Sequence, residues 1–462
     1  MKAKIPRLMF AAFNSGSGKT TITCAVLKAL MEKGINPAAF KCGPDYIDPM
    51  FHSEIVGVNS RNLDLFMLSE DVVKYLFATN ARDAQIAILE GVMGYYDGLG
   101  ANSTIASSYH LAAVTNTPVV LIVNCKGSSL SLAALIKGFA AFKADSRING
   151  VILNNLSPSL YPLYKEMIES EAGIEVVGYL PWIEEGTLGS RHLGLITVAE
   201  VEDLQEKITT LAQQASDSID IDKLLLIAQK AEDIDYKDFE IQKGTEIEIA
   251  VAQDKAFCFY YQDSLDLLAK MGAKITTFSP LKDQALPQCD GLILGGGYPE
   301  VFARELSENT PMLKSIEEAI SSDLPCIAEC GGFMYLLDSL TDTKGNQYLM
   351  AGSIKGEAFM TEKLNRFGYA KLVSQSDNLL CGKGETINAH EFHYSDSTAN
   401  GSGFSAVKPS SGREWECIYT GENIFAGYPH IHLWGNLNFA YSFIEKCKKY
   451  RAKRLGFEVT KI

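Results

Sequence analysis

The sequence contains no C-x-x-C pair and no long uncharged apolar run. Its ten cysteines are scattered along 462 residues, a distribution typical of a protein that stays in a reducing compartment. No apolar run approaches the roughly 18 residues that a membrane-spanning helix needs. The apolar stretch near the start is also too short for a signal peptide. We therefore expect a cytoplasmic protein with no membrane partner.

Positive charge is also scarce. The chain has 42 Lys and Arg residues against 56 Asp and Glu residues, which gives a formal net charge of −14. The most basic stretch, residues 446–454, is short and is interpreted as a solvated helix face. Because binding to nucleic acid needs a basic surface, we expect no nucleic-acid partner.

What the sequence does contain fits a soluble α/β protein of two or three domains. Apolar residues make up 47% of the chain, and 38 glycines provide for many tight turns. In the first half, short β-rich runs alternate with helical patterns, which predicts a parallel, doubly wound sheet. The predicted strands of this half are residues 8–12, 38–41, 86–90, 119–124 and 150–154.

A second α/β series begins after an acidic, helix-favouring stretch. It has a predicted helix at 264–271 and predicted strands at 246–252, 273–278, 291–294 and 325–328. No internal repeat or low-complexity tract interrupts either half. We expect a first domain, a linker with a helical segment, a second domain and a tail, at residues 1–203, 204–244, 245–447 and 448–462.

A glycine-rich loop follows the first predicted strand and opens a helical pattern. Such loops bind phosphate through backbone N–H groups at a helix N-terminus. The loop NSGSGKTT departs from the G-x-x-x-x-G-K-[ST] pattern, because Phe13 replaces its first glycine. The predicted nucleotide-binding residues are Gly16, Ser17, Gly18, Lys19, Thr20 and Thr21. Asn154, at the end of a later strand, could read adenine or could end a simple turn.

Acidic residues follow the next predicted strands, at the sheet edge where ligands of open α/β sheets bind. They are Asp45, Asp48, Asp64, Glu90 and Asp97. Glu90 comes directly after a strand, as a Walker-B acid does, and the predicted Mg²⁺ ligands are Thr20, Glu90 and Asp45. So many carboxylates beside a polyphosphate require a metal. Each acid, Asp64 and Asp97 above all, could instead be a cap or turn residue.

Cys330 lies in AECGGFMYL, where an apolar run stops at a cysteine and two glycines. This pattern predicts a tight turn into a helix over 333–337, with the thiol exposed near a helix N-terminus. Because a free thiol is only a few per cent thiolate at neutral pH, a nucleophile here needs a base. A packed core thiol is the alternative.

Histidines that follow Cys330 in the sequence, and glycines on either side of it, complete this candidate site. The base could be His430 or His432 of GYPHIHLW, since alternate residues of a strand share a face. The histidines of HEFHY do not have the H-E-x-x-H spacing of a zinc protease. Backbone N–H groups of a predicted oxyanion hole and glutamine pocket would come from Gly331, Gly296 and Gly297.

The order of these motifs resembles a known family along essentially the whole chain. LGGGYPE, AECGGFMYL, HEFHYS and YPHIHLW resemble a class I glutamine amidotransferase domain of the cobalamin-pathway type. FNSGSGKTT, KCGPDYIDP, SRNLD, LEGVMGYYDG and SRHLGL resemble the dethiobiotin-synthetase-like ATP domain fused to it in the cobyrinate a,c-diamide synthase family. The H-P-E ending of other class I amidotransferases is absent after His430, as is expected of this branch.

The resemblance implies ATP, Mg²⁺ and glutamine as inputs and two carboxylates of a cobalt corrinoid as acceptors. ATP would phosphorylate a carboxylate, and Cys330 would form a thioester with glutamine and release ammonia, which would cross between the domains. Asp45, Asp48 and Asp97 would assist the metal, accept a proton or orient the intermediate. The residues proposed to bind the substrate are Asp64, Arg61, Arg191 and His192.

Two alternatives stay open from the sequence. The acceptor could be another tetrapyrrole, such as nickel sirohydrochlorin, because no residue pattern identifies the ring or its metal. The chain could also be a P-loop switch that keeps an inactive amidotransferase domain as a scaffold. The oligomeric state has no signature in the sequence.

Overall fold

The computed structural model describes residues 1–184, 190–191, 194–195 and 203–456. The chain forms two compact units, Met1–Phe239 and Glu240–Ile462. Each unit is an α/β structure built on a largely parallel sheet, as the alternating sequence pattern predicts. Every predicted strand of both halves is present, and the ends differ from the prediction by no more than two residues.

The first unit contains a seven-stranded parallel sheet with the strand order β4-β3-β5-β2-β6-β7-β8. The strands of the unit are β1 (Lys2–Ala3), β2 (Arg7–Ala12), β3 (Pro37–Cys42), β4 (Ser60–Leu63), β5 (Ile86–Glu90), β6 (Val119–Asn124), β7 (Ile148–Asn154), β8 (Val176–Leu180), β9 (Ser190–Arg191), β10 (Gly194–Leu195) and β11 (Ile234–Asp235). Outside the large sheet, β1 pairs with β11 and β9 pairs with β10. All residues of β2, β3 and β5 are buried, as expected for parallel strands covered on both faces.

Helices cover this sheet and connect its strands. They are α1 (Lys19–Glu32), α2 (Ile47–Met50), α3 (Glu70–Asn80), α4 (Ser108–Val114), α5 (Ser131–Phe142), α6 (Tyr161–Ala172), α7 (Leu204–Ser218) and α8 (Ile221–Gln229). One π-helical turn, Phe51–Ile55, continues α2. The predicted helical segment after residue 203 corresponds to α7 and α8, which pack against α1 and β2 of the first unit. The four predicted domain ranges themselves stay a prediction.

The second unit contains a six-stranded sheet with the order β14-β12-β15-β17-β25-β24, parallel except for β24. Its first strands and helices are β12 (Ile247–Ala252), β13 (Phe257–Phe259), α9 (Gln262–Lys270), β14 (Ala273–Phe278), β15 (Gly291–Leu294), β16 (Gly296–Gly297), α10 (Ala303–Glu308), α11 (Thr310–Ser321), β17 (Cys326–Glu329) and α12 (Gly331–Leu336). Residues 331–336, predicted to begin a helix only at Phe333, are already helical from Gly331.

A second, mostly antiparallel sheet follows α12, and the sequence patterns did not predict it. Its strands, together with the remaining elements, are β18 (Leu337–Thr341), β19 (Gln347–Leu349), β20 (Ile354–Ser374), β21 (Thr386–Ser397), β22 (Phe404–Val407), β23 (Glu414–Cys417), β24 (Tyr419–Thr420), β25 (Ile424–Gly427), β26 (His430–Ile431) and α13 (Leu437–Arg454). Strand β21 alternates between buried and half-buried residues, but the buried ones include Glu391, His393 and Ser395. Because the buried face of β21 is partly polar, its sequence lacks the alternation of apolar and polar residues that usually indicates a strand.

Helix α13 continues through the predicted start of the tail at residue 448. Its last turn is basic, and Arg454 lies 2.8 Å from the carboxylate of Asp290, which is fully buried. Arg451 approaches the same carboxylate at 3.6 Å. This part of the basic stretch therefore neutralises a buried acid of its own unit.

In the part of the chain that the structure describes, no helix is long and apolar enough to cross a membrane.

Arg7, at the start of β2, is fully buried and donates to four backbone carbonyls, those of Ile5, Thr115, Asn116 and Glu232. Arg7→Met should lower the free energy of unfolding by about 3–5 kcal/mol, because it leaves buried acceptors unpaired. Urea unfolding followed by circular dichroism measures this. Lys4→Met, at an exposed position, is the matched control, and equal midpoints for both variants would contradict the prediction.

Candidate active sites

The glycine-rich loop adopts the backbone that a phosphate-binding turn needs. Gly16 and Gly18 have φ values of 75° and 93°, which glycine adopts without strain, and α1 begins directly after Gly18. A Cβ on Gly18 would lie 2.2 Å from Nδ2 of Asn154. The same Nδ2 donates to the carbonyl of Ser17 at 2.9 Å. Asn154 therefore supports the loop, and its proposed reading of adenine stays a prediction.

Lys19 is buried at the first position of α1 and points back into the loop. Its Nζ donates to the carbonyls of Asn14 at 3.1 Å and Met93 at 2.8 Å. Burial, together with the charge of Lys41, lowers the pKa of Lys19 to about 8. The ammonium is therefore held by weak neutral acceptors, and an anion placed at the loop would be a better partner.

Glu90 is the centre of a buried cluster at the end of β5. Its Oε1 accepts hydrogen bonds from Thr20 Oγ1 at 2.7 Å and from Lys41 Nζ at 2.9 Å. Its Oε2 lies 2.8 Å from Nε2 of His52, whose other ring nitrogen contacts Ser60. Thr20 and Glu90, predicted as neighbours in the nucleotide site, are thus in direct contact.

The charges of this cluster are unevenly shared. Burial raises the pKa of Glu90, but Lys41 and His52 outweigh that effect and hold it well below its usual range. Lys41 also forms an ion pair with Asp48. Burial, Asp45 and Glu90 raise the pKa of Asp48 well above its ordinary value. Lys41 and His52 therefore keep Glu90 ionised, and burial beside two other carboxylates makes Asp48 the group that takes up a proton more readily.

The other predicted acids lie in turns. Asp45 caps the start of α2, since its Oδ1 accepts from the N–H of Ile47 at 2.8 Å. Asp64 is buried and accepts from the N–H groups of Phe66 and Met67, both at 2.8 Å. Asp97 accepts from the N–H of Gly94 at 3.0 Å. Asp64 and Asp97 thus have the turn contacts that the sequence left open as alternatives.

The predicted substrate-binding cations are only partly described. Arg61 lies in β4, the edge strand of the sheet, opposite Phe40. The backbone of Arg191 lies in β9, paired with Gly194. His192 lies outside the described residues. Thr21 is half-buried in the first turn of α1. The binding roles of these residues stay predictions.

Sequence reasoning missed Lys41 and His52, although both lie in the stretch KCGPDYIDPMFH that supplied two of the acids. Lys41 is 2% exposed and His52 is fully buried. A lysine inside an apolar strand is rarely buried without a charged partner, so Lys41 carried a signal that it pairs with an acid. His52 carried none, because α2 and the π-helical turn fix its position.

The residues around Thr20 fit a magnesium ion. Mg²⁺ prefers oxygen donors and is usually bound by one or two protein groups together with phosphates and water. The hydroxyl of Thr20 and the carboxylate of Glu90 meet at the first turn of α1, beside the loop. Among the described residues, no group of three or more His, Cys, Asp or Glu could form a closed metal site. Asp45, which caps α2, is the third predicted ligand.

Cys330 occupies a strained turn between β17 and α12. Its φ is 47° and its ψ is −102°, a conformation that costs a non-glycine residue on the order of 1–3 kcal/mol. Its N–H donates to the carbonyl of Gly427 at 2.7 Å, and its carbonyl accepts from the N–H of Met334. Cys330 is 7% exposed, so the thiol is more buried than expected. The strand–turn–helix geometry is that of a nucleophile elbow.

His430 is the histidine that contacts this thiol. Its side chain forms a hydrogen bond with Cys330, and its Nδ1 lies 3.3 Å from Oε2 of Glu329. Burial lowers the pKa of His430, but the contacts with Cys330 and Glu329 outweigh that effect and raise it to about 10. Cys330 is therefore not an isolated core thiol, because a basic imidazole lies beside it.

His432, the second candidate base, has different neighbours. Strand β26 ends at Ile431, so His430 and His432 do not share a strand face. His432 stacks on Tyr261 at a centroid distance of 5.0 Å, and its Nδ1 accepts from the N–H of Trp434. Burial lowers its pKa to about 3. These contacts make His432 the cap of a 3-10 turn, Leu433–Gly435.

The histidines of HEFHY belong to the antiparallel sheet. His390 pairs with His430 across β21 and β26. His393 lies 3.0 Å from the carboxylate of Glu391 and stacks on Tyr428 at 4.0 Å. Tyr428 also packs against Phe333 of α12. The network therefore connects the antiparallel sheet to the helix that follows the cysteine turn.

The predicted oxyanion glycines surround the cysteine turn. A Cβ on Gly331 would lie 2.9 Å from Pro299 and 3.2 Å from the backbone nitrogen of Gly297. A Cβ on Gly296 would lie 2.6 Å from Cε1 of His430, so this glycine makes room for the imidazole ring. Because the first N–H groups of a helix have no partner within it, Gly331, the first residue of α12, is suited to stabilise an oxyanion. The same role for Gly297, which lies in β16, stays a prediction.

Family models match both halves of the chain. A CobQ/CobB/MinD/ParA nucleotide binding domain matches residues 8–195, and a CobB/CobQ-like glutamine amidotransferase domain matches residues 248–437. The fold and the two sites therefore define an ATP-binding P-loop domain followed by a glutamine amidotransferase domain, and the predicted fold class is confirmed.

Relatives of known name match nearly the full chain. A cobyrinate a,c-diamide synthase of Caldanaerobacter subterraneus subsp. tengcongensis is 43% identical over 96% of this chain and 99% of its own. Those of Clostridium tetani and Thermoplasma volcanium are 42% and 38% identical, over 95% and 98% of this chain and 99% of each relative. The chain belongs to the cobyrinate a,c-diamide synthase family. It is a glutamine-hydrolysing carbon–nitrogen ligase.

The lowered pKa of Lys19 predicts pH-dependent ATP binding. Phosphate oxygens stabilise the ammonium and raise its pKa in the complex, so affinity should be highest below the free-protein value of about 8. As the pH rises through that value, the dissociation constant should increase by up to about tenfold per pH unit. Isothermal titration calorimetry with ATP between about pH 7 and 9 measures this.

Two variants test whether Lys19 carries this dependence. Lys19→Met should bind ATP weakly and with little change over the same pH range. Lys33→Met, at an exposed lysine just after α1, should keep the wild-type profile. A wild-type affinity that is constant through pH 8 would show that the site does not titrate as proposed.

Proposed function

We propose that the chain amidates the a and c carboxylates of cobyrinate, using ATP and the ammonia of glutamine, in cobalamin biosynthesis. The names of its full-length relatives support the substrate. The observation that carries the proposal is the hydrogen bond between Cys330, in its strained turn, and His430. It is the contact that a working glutaminase needs and that an inactive scaffold domain does not.

Cys330 is the nucleophile of the glutaminase reaction. Its thiol proton passes to His430, and Sγ attacks the side-chain amide carbon of glutamine. The oxygen of the tetrahedral intermediate is stabilised by the N–H groups of Gly331 and Gly297. His430 then returns its proton to the departing nitrogen, which leaves as ammonia, and water hydrolyses the γ-glutamyl thioester to glutamate.

The first unit activates the acceptor carboxylate. A carboxylate does not condense with ammonia directly, because oxide is a poor leaving group. A carboxylate oxygen therefore attacks the γ-phosphorus of ATP, which gives an acyl phosphate and ADP. Ammonia displaces phosphate from this intermediate and leaves an amide. The nitrogen loses one proton in this step, so phosphate departs as hydrogen phosphate.

The buried charges of the first unit suit this transfer. Lys19 leaves the carbonyls of Asn14 and Met93 and binds the β- and γ-phosphates, and its pKa rises as it does so. Asp48, whose pKa is raised, takes up the proton that the attacking ammonia loses and passes it to the departing phosphate. Mg²⁺ held by Thr20 and Glu90, with Asp45 nearby, would neutralise charge on the transferred phosphoryl group.

Several parts of the proposal rest on the resemblance alone. Arg61, Arg191 and His192 are proposed to bind the carboxylate arms of the corrinoid, Asp64 to bind the substrate, and Asp97 to orient the intermediate. Ammonia is proposed to reach the first unit by a closed path, because its protonated form is not a nucleophile. A location in the cytoplasm also stays a prediction.

Cys330→Ala should abolish glutaminase activity, because the nucleophile is lost. Added ammonium should still support ATP-dependent amidation at a rate within about threefold of the wild-type rate with ammonium. Glutamate release and amide formation are measured in parallel. Cys381→Ala, which removes a buried thiol elsewhere in the second unit, is the control. Failure of ammonium to rescue the Cys330 variant would rule out the two-site mechanism.

Oxygen labelling tests the acyl phosphate. With ¹⁸O in the carboxylates of cobyrinate, each amide formed should place one ¹⁸O atom in the released inorganic phosphate, because that oxygen bridges carbon and phosphorus in the intermediate. Mass spectrometry of the phosphate and of the corrinoid measures both products. Unlabelled phosphate accompanied by amide formation would exclude the intermediate.

The same assay identifies the acceptor. Cobyrinate should gain two amides, whereas nickel sirohydrochlorin should gain none under the same conditions. The reverse result would replace the proposed substrate by the other tetrapyrrole.

Glu90→Gln should abolish amidation of cobyrinate with either nitrogen source, and Glu70→Gln, on the exposed side of α3, is its matched control.

A further inference from the structure

Glu329, the residue before the nucleophile, contacts the catalytic histidine. It is the last residue of β17 and lies opposite Gly427 of β25. Its Oε2 lies 3.3 Å from Nδ1 of His430, and its Oε1 accepts from the N–H of Ile431 at 3.1 Å. The two oxygens therefore hold both the ring and the backbone of β26.

This arrangement determines which ring nitrogen faces the thiol. A carboxylate accepts hydrogen bonds only, so Nδ1 carries the proton that points to Glu329. Nε2 is then left as the base for Cys330, with which the ring is also hydrogen bonded. Histidine tautomers in active sites are commonly fixed by such a partner on the second nitrogen.

The surroundings strengthen the pair. The side chain of His430 is 3% exposed and that of Glu329 is 13% exposed, so water screens their attraction weakly. The other titratable groups that face His430 are Cys330 and His390, which lies opposite it in β21. Burial and the charge of His430 lower the pKa of His390 to about 3, so this neighbour is neutral. The carboxylate of Glu329 therefore balances the imidazolium that forms during the reaction.

We propose that Glu329 is a positioning residue for glutamine hydrolysis and completes a Cys330–His430–Glu329 triad. The inference rests on the proposed glutaminase reaction. Resemblance to the family implied a Cys–His pair with no acid, because the H-P-E ending is absent. In this chain the acid instead precedes the nucleophile in sequence and reaches His430 from the neighbouring strand end.

Glu329→Gln tests the role with an isosteric neutral side chain. The kcat for glutamine hydrolysis should fall on the order of 10²-fold, because the correct tautomer and the imidazolium both lose support. The KM for glutamine should change by less than about threefold. The rate at which iodoacetamide alkylates Cys330 should rise only at a pH about one unit higher than in the wild type, since formation of the imidazolium–thiolate pair becomes harder.

Chemical rescue separates positioning from a merely structural role. A small cavity of about 40 Å³ lies beside Glu329 and is lined by Tyr260, Ser264, Gly295 and Ile431 among others. Glu329→Ala should enlarge this space enough for formate to enter. Added formate should then raise the glutaminase rate of Glu329→Ala at least about tenfold and leave the rate of the wild type unchanged.

The outcomes are decisive in either direction. A kcat within about threefold of wild type and an unshifted alkylation profile in Glu329→Gln would overturn the proposal. Circular dichroism reports folding, and if Glu329→Gln does not fold, absence of formate rescue in Glu329→Ala would overturn it instead. Glu318→Gln, an exposed position on α11, is the matched control. Absence of glutaminase activity in the wild type would refute the proposed function rather than this inference.

Discussion

Both candidate sites depend on one constraint: the chain must pass from a parallel strand into a helix through residues of positive φ. In the first unit, glycines at positions 16 and 18 adopt this backbone without strain. In the second unit Cys330 adopts it with a side chain, and the strain holds the thiol at the start of α12. Each turn ends at the N-terminus of a helix, whose first N–H groups suit phosphate in one case and an oxyanion in the other.

Buried charge then distinguishes the two sites. The first unit holds Lys19, whose pKa is lowered, near the ionised Glu90. This site therefore favours an anion that is accompanied by a metal ion. The second unit holds an imidazole of raised pKa beside a thiol, so its preference is to move a proton. Because both clusters are shielded from water, a few close partners decide the charge state of each group. Lys41 and His52 hold Glu90 ionised in the first unit, and Cys330 and Glu329 raise the pKa of His430 in the second.

Much of the fold was predictable because its signals are local. Strands such as Ile86–Glu90 and Gly291–Leu294 are apolar runs that end at turn residues, and the predicted bounds match the structure. The antiparallel sheet was not predictable in this way, since β21 turns polar residues such as Glu391 inward. Those residues are accommodated by partners from other strands, among them Trp415 and Arg366, and no pattern within β21 contains that information.

The sequence by itself determined the nucleotide loop, the cysteine turn and the order of the two units, because each is written in a short continuous stretch. Tertiary structure decided which side chains complete the sites. It brought Glu90 to Thr20, gave the thiol His430 rather than His432, and placed Glu329 on the second ring nitrogen. These partners are 70 to 101 residues apart in sequence, and they meet only because the carboxyl ends of parallel strands share one edge of a sheet.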